Sequence, residues 1–291
     1  MKGISYFWRM TNERTDVTVC ISTVNGNLLH NQRLLMQVDA LEAPVVVVNQ
    51  VTEPSTASDT LKSRLAQDGV LFFEDRSLGL SRSRNLALSN VTTTWALLCD
   101  DDVWLNEPGC AEMTQLLAHN NDPGSGGVLV QLEKKNHALW RRYDVLPKEI
   151  RGTSVRAKLD IQKVNSMELV LHVKNLRKHG LTFRERWGLG TQPAPGGEEV
   201  LLMNDALERG LHFKRLPISV RIHPDESSGS SVNLTNAFVQ GSTCALIFPA
   251  WLYMGLAFWL SFKHVVRGKA SLRWGVTFVK GGRWAWQNRV R

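Results

Sequence analysis

Cysteine is scarce in this 291-residue chain, and its four copies (Cys20, Cys99, Cys110 and Cys244) are scattered with no CxxC pair. A disulfide framework or a structural zinc site is therefore not expected, and a reducing compartment is the default. The opening MKGISYFWRMTNERTD lacks the apolar run of about 7–15 residues that a secretory signal needs. No GxxxxGK[ST], GxGxxG or GxSxG occurs, which removes the common P-loop, dinucleotide and serine-hydrolase fingerprints. There are no internal repeats, and the only low-complexity patch is Ser227–Ser231. Acidic residues stop at Glu226. Eight of the 35 lysines and arginines lie beyond it, so the first 226 residues carry 27 basic and 27 acidic groups and are neutral. The formal charge of +8 belongs entirely to the last 29 residues.

What is present is a chain 43% hydrophobic and 21% charged, able to bury a sizeable core. Val17–Ser22, Val45–Val48, Val70–Phe73 and Trp95–Cys99 are short, continuous apolar runs, the pattern of parallel strands covered on both faces. Amphipathic stretches at about 28–38, 58–67 and 81–89 separate them, which predicts βαβ units and an open α/β sheet. Ligands of such sheets gather at the carboxyl ends of the strands, here Thr23–Gly26, Asn49–Gln50, Glu74–Leu80 and Asp100–Asp102. Residues 183–196 are rich in glycine and proline and read as a mobile loop.

Three segments carry candidate chemistry. Strand Trp95–Cys99 delivers Asp100, Asp101 and Asp102 to the active edge. If strand geometry persists, Asp100 and Asp102 share a side, and a close carboxylate pair suits Mg²⁺ or Mn²⁺ held jointly with substrate phosphates. An acidic turn with a helix-capping aspartate would look the same. Next, SLGLSRSRNLAL (Ser77–Leu88) opens a helix through a glycine turn with Arg82 and Arg84 in its first turn, a natural phosphate site, or simply two solvated arginines. Finally Glu198 and Glu199 follow the glycine-rich loop and open a helix over 197–209, where a carboxylate with a raised pKa serves as general base, although glutamate is common in first turns.

In this order the segments resemble the family 2 glycosyltransferases of the GT-A fold, from about Val17 to Gly229: ISTVNG after the first strand, GLSRSRN, the aspartates after a strand, and the acidic pair after FRERWGLG. The resemblance implies an open, mostly parallel twisted sheet flanked by helices, with a nucleotide-sugar half at 16–130 and an acceptor half at 131–226. Residues 1–15 would be an N-terminal extension and 227–291 a C-terminal membrane-associating one. It implies that Asp100 and Asp102 form the metal site, Asp102 being the direct ligand, with Asp101 beside the donor. Arg84 would contact the nucleotide or its pyrophosphate, and Thr23 and Asn25 would flank base and ribose. Glu199 would be the catalytic base with Glu198 its neighbour. It implies an inverting, metal-dependent hexosyl transfer by single displacement from a nucleotide diphosphate sugar, a UDP-sugar first, to an acceptor hydroxyl. Two departures stand out. Asn49 occupies the place of the usual base-binding aspartate, and the pair is Glu-Glu where Glu-Asp is commoner. His223, in RIHPDESSG, is placed to touch metal or diphosphate, or to serve the structure.

From Ser227 to Phe262 there is no charge, and Ala245–Phe262 holds 15 apolar side chains in 18 positions. Five of the ten tryptophans lie from Trp251 onward. A single span would put the basic tail and the catalytic domain on opposite sides, so an in-plane or re-entrant helix on anionic lipid at the cytoplasmic face is expected, with a buried covering helix as the alternative. Together with this tail, the resemblance implies as acceptor a lipid-linked saccharide of bacterial-type surface polysaccharide synthesis. Two other classes compete. A nucleic-acid binder would use the arginine- and tryptophan-rich tail, but the neutral body argues against it. A metal-dependent phosphohydrolase would use the aspartates and leave GLSRSRN and Glu198–Glu199 without a task.

Overall fold

A computed structural model of the chain describes residues 16–53, 55–120, 122–223, 232–269 and 271–288. The expected extension at 1–15 and the serine-rich patch at 227–231 lie outside them. The four apolar runs form β1 (Val17–Val24), β2 (Val45–Gln50), β3 (Val70–Asp75) and β4 (Trp95–Asp100), each ending one or two residues beyond its apolar stretch. Helices α1 (Gln32–Ala40), α2 (Thr56–Arg64) and α3 (Leu80–Ser89) connect them. All these strand pairs are parallel, in the order β3-β2-β1-β4. All six residues of β2 are buried, as are the first seven of β1, because helices cover both faces. Edge strand β3 has partly buried and exposed positions and no fully buried one.

The chain continues through β5 (Trp104–Leu105), α4 (Glu107–Ala118), β6 (Ser125–Lys134), β7 (Glu149–Arg151), α5 (Val155–Ile161), β8 (Leu169–His172), α6 (Val173–Lys178), α7 (Glu198–Glu208) and β9 (His212–His223). The sheet extends as β4-β8-β6-β9-β5, with β7 also on β9. Strand β8 runs against both its neighbours, so the parallel half gives way to a mixed half. Register sets the chemistry level: Ser22 lies opposite Asp100, Thr23 opposite Asn49, and Asn49 opposite Glu74.

The C-terminal segment corrects an expectation. The apolar stretch 245–262 is two helices: α8 (Leu234–Ile247) ends before Pro249, which caps α9 (Ala250–Val266). Proline fixes its own φ and lacks an N–H, so the helix restarts there; Gly255 does not interrupt α9. The basic, tryptophan-rich tail is a third helix, α10 (Leu272–Gln287), packed on α8. Trp274 is buried, and the Trp286 indole donates to the Ala245 carbonyl at 2.9 Å, so part of the tryptophan load serves packing. Among the described residues no helix is long and apolar enough to cross a membrane.

α8 and α10 meet backbone to backbone. A Cβ on Gly241 would stand 1.9 Å from the Phe278 carbonyl oxygen, and one on Gly281 would stand 2.1 Å from that of Phe238. Gly241→Ala is therefore expected to lower stability by about 1–3 kcal/mol through forced separation of the helices. Thermal unfolding checks this; an unchanged melting temperature would show that the two helices are not in contact.

Candidate active site

At the carboxyl edge of β1, the Thr23 hydroxyl donates to Asp101 Oδ2 at 2.6 Å and accepts from the Leu28 N–H at 3.0 Å. Asn25, at φ 50°, donates through its amide to Thr52 Oγ1 and accepts from the Thr52 N–H, both at 2.9 Å. Asn49 is fully buried: its amide oxygen accepts from the Gly26 N–H at 2.9 Å and its NH₂ donates to Ser58 Oγ at 3.0 Å. Asn49 thus braces the Thr23–Gly26 turn from below, its amide oxygen and NH₂ both partnered within the protein. Gln50 extends the scaffold, its NH₂ donating to the Ser77 and Gly79 carbonyls at 2.8 and 3.0 Å, which fixes the turn ahead of α3.

The arginines of α3 separate because residues two apart lie about 200° apart around a helix. Arg82 faces outward and donates to Asp75 at 2.8 Å. Arg84 faces inward and is 2% exposed. Its guanidinium donates to Glu198 Oε1 at 2.7 Å and to Asp100 Oδ1 and Ser166 Oγ, both at 3.1 Å. This buried fork ties the end of β4 to the start of α7. Sequence pattern does not reveal Ser166. Asn165 and Glu168 form a capping box around it, which marks the turn without naming its partner.

The three aspartates part company. Strand geometry ends at Asp100, so the alternation expected to bring Asp100 and Asp102 to one side does not continue. Asp100 turns to Arg84 and Asp101 to Thr23, while Asp102, with its side chain 57% exposed, turns to His223, whose Nε2 lies 3.6 Å from Asp102 Oδ2. Burial pushes the Asp101 carboxyl up, against the Thr23 hydrogen bond that holds it down. Asp102 and His223 meet because Trp104 of β5 pairs with Ile222 of β9, which brings the residues just outside that pair together. Among the described residues no group of three His, Cys, Asp or Glu side chains could hold a metal ion. A hard divalent cation bound through Asp102 and His223 would complete its shell with water and substrate phosphate oxygens, as Mg²⁺ commonly does.

Glu198 and Glu199 open α7 behind Gly197. Glu198 is buried against Arg84, and Glu199 is half-buried beside it. Burial, and then the neighbouring Glu198 charge, push the Glu199 carboxyl up to about 8.

Residues 183–196, expected to be mobile, are pinned to α3. The Phe183 N–H and carbonyl bond the Asn85 amide at 2.8 and 2.9 Å, the Leu80 N–H donates to the Leu189 carbonyl at 2.8 Å, and the Ser81 hydroxyl donates to the Trp187 carbonyl. Gly188 sits at φ 113°, where a Cβ would stand 2.8 Å from Ser81 Oγ and 3.4 Å from Glu198 Oε2, so the close approach requires glycine. The Trp187 indole donates to Ser242 Oγ of α8 at 3.1 Å, and its ring lies 5.0 Å from that of Trp284 of α10.

No family model matches the sequence, and no curated protein matches it. Solved structures do. Residues 1–349 of S. aureus TarS, a GT-A-type glycosyltransferase, in complex with UDP-GlcNAc align with a TM-score of 0.61 at 14% identity, covering 91% of this chain and 79% of that one. The chain has a GT-A-like fold. The same TarS fragment in complex with UDP aligns with a TM-score of 0.54 at 16% identity, over 79% of this chain and 64% of that one. The longer TarS chain gives 0.55 at 15%, and this chain spans 38% of its length. In GT-A terms, Thr23, Asn25, Asp100, Asp102, Glu198, Glu199 and His223 all stand at or near one edge of the sheet. Of the expected donor contacts, Asn49 and Arg84 lie beneath that edge as braces.

Proposed function

We propose that this chain is a glycosyltransferase that moves a sugar from a nucleotide diphosphate sugar, a UDP-sugar first, to an acceptor hydroxyl by a single inverting displacement. One observation carries the reading: in a GT-A-like fold, Glu199, whose carboxyl is pushed up by burial and by Glu198, opens a helix whose other glutamate is bound through Arg84 to the end of the aspartate-bearing strand. Glu199 takes the proton from the acceptor hydroxyl as its oxygen bonds to the anomeric carbon and the bond to the diphosphate breaks. A carboxylate raised towards pH 8 is a stronger proton acceptor than an ordinary one. Thr23 and Asn25 line the donor side, and Thr23 orients Asp101. Asp102 and His223 are the residues that would hold Mg²⁺ or Mn²⁺, which would supply positive charge beside the leaving diphosphate.

The acceptor that fits the whole chain is a lipid-linked saccharide of surface polysaccharide synthesis at the cytoplasmic face of a membrane, reached through the C-terminal helices. Titration of the purified protein with UDP, GDP and CDP, with and without Mn²⁺, tests the donor site. UDP is expected to bind in a Mn²⁺-dependent manner and to lose at least tenfold in affinity in Asp102→Ala. Binding of no nucleotide under any condition would overturn the reading.

A further inference from the structure

α9 has two unlike faces. Tyr253 and Ala257 turn inward and are buried, and the Tyr253 hydroxyl donates to the Phe278 carbonyl of α10 at 3.2 Å. On the other side Trp251, Met254, Phe258, Phe262 and Val266 recur every three or four residues and are 51–76% exposed. A stripe of that spacing forms one continuous face of a helix. A contiguous exposed apolar face of this kind marks an interaction surface.

Charge decides what covers it. From residue 232 to 288 every Lys, Arg, Asp or Glu is a cation: Lys263, Arg267, Lys269, Arg273, Lys280 and Arg283. Most of them cluster where α9 ends and α10 begins. Lys263 Nζ lies 4.8 Å from the centre of the Trp259 ring, a basic-aromatic pairing suited to the boundary between headgroups and acyl chains. A second copy of this chain would bring like charges against one another, whereas an anionic bilayer offers apolar depth beneath negative headgroups. The inner side of the same helical layer is joined to the body, through Trp187 and Ser242, next to the Glu198–Glu199 helix. A docked surface would therefore be held in a fixed relation to the start of α7, where Glu198 and Glu199 stand.

We infer that the outer face of α9, bordered at its C-terminal end by the cations of the α9–α10 junction, docks on an anionic lipid bilayer. This deepens the membrane part of the reading above, and its test needs no sugar donor, so the two can fail separately. The full chain is sedimented with vesicles of phosphatidylcholine alone or mixed with phosphatidylglycerol, at low and high salt. The wild type is expected to pellet with the mixed vesicles at least tenfold more than with the neutral ones, and high salt is expected to weaken the binding. Trp251→Ser/Phe258→Ser is expected to lose at least tenfold of it while keeping its circular dichroism spectrum and melting temperature, since both positions are exposed. Lys263→Glu/Arg267→Glu/Arg273→Glu is expected to lose the preference for anionic lipid. No vesicle binding, equal binding to both vesicles, a dimer dissolved by the serine variant, or RNA binding tighter than vesicle binding would each overturn the inference.

Discussion

Glu199→Gln is expected to abolish sugar transfer while leaving nucleotide binding in place. Glutamine keeps the shape and the start of α7 but cannot take a proton, and a positioned general base contributes about 10²–10⁴-fold in rate. The wild-type kcat/KM should rise with pH until Glu199 is ionised, with a limb near 8, because only the carboxylate form is a base. Stability should move the opposite way. The folded-state value lies above the unfolded one, so between about 4.5 and 8 the folded protein holds a proton that the unfolded chain has released, and stability falls as pH rises across that window. Glu199→Gln removes this dependence and should be the more stable protein at pH 8. Transfer assays and denaturant melts across pH read both effects; a variant with wild-type turnover would remove Glu199 from the chemistry.

Arg84→Met is expected to be the most damaging single change to the fold near the site. Arg84 and Glu198 are both almost wholly buried and 2.7 Å apart, and Asp100 shares the same guanidinium. Removing one partner of a buried pair leaves an uncompensated charge and costs about 3–5 kcal/mol. Lysine should rescue only in part, since a single ammonium does not reproduce a fork that serves three acceptors. Arg82→Met is the control. Its side chain is 49% exposed and its ion pair lies at the surface, where such pairs contribute about 0–1 kcal/mol. Urea unfolding of the two variants side by side decides the matter: equal losses would mean that Arg84 is not the buried tie between β4 and α7.

The parallel half of the sheet is legible in the sequence because its strands are buried on both faces and read as unbroken apolar runs. The helix opened by Glu198 and Glu199 is legible for a related reason, a glycine followed by acid at a helix start. The tasks of Asn49 and Arg84 are not. Residue type and position in the chain place them at the carboxyl edge, but whether a polar group faces a ligand or a neighbour depends on what packs against it, and here Ser58, Ser166 and Glu198 arrive from distant segments. The loop at 183–196 looks mobile by composition, yet its glycines permit the close approach to α3 that pins it. His223 and Asp102 come together only through the antiparallel β5–β9 pair, a two-residue strand without a periodic signal. The C-terminal apolar run misleads for a similar reason: Pro249 divides it between α8 and α9, and α9 leaves a wide apolar face uncovered.

The most direct measurement follows the sugar itself. The protein is incubated with Mn²⁺, labelled hexose donors of uridine, guanosine and cytidine diphosphate, and a membrane fraction as the source of acceptor. One donor is expected to release its nucleoside diphosphate in step with label entering the lipid extract, and Glu199→Gln should stop both. Donor consumption with release of inorganic phosphate and no labelled acceptor, in the wild type and the variant alike, would contradict glycosyl transfer and favour a metal-dependent phosphohydrolase.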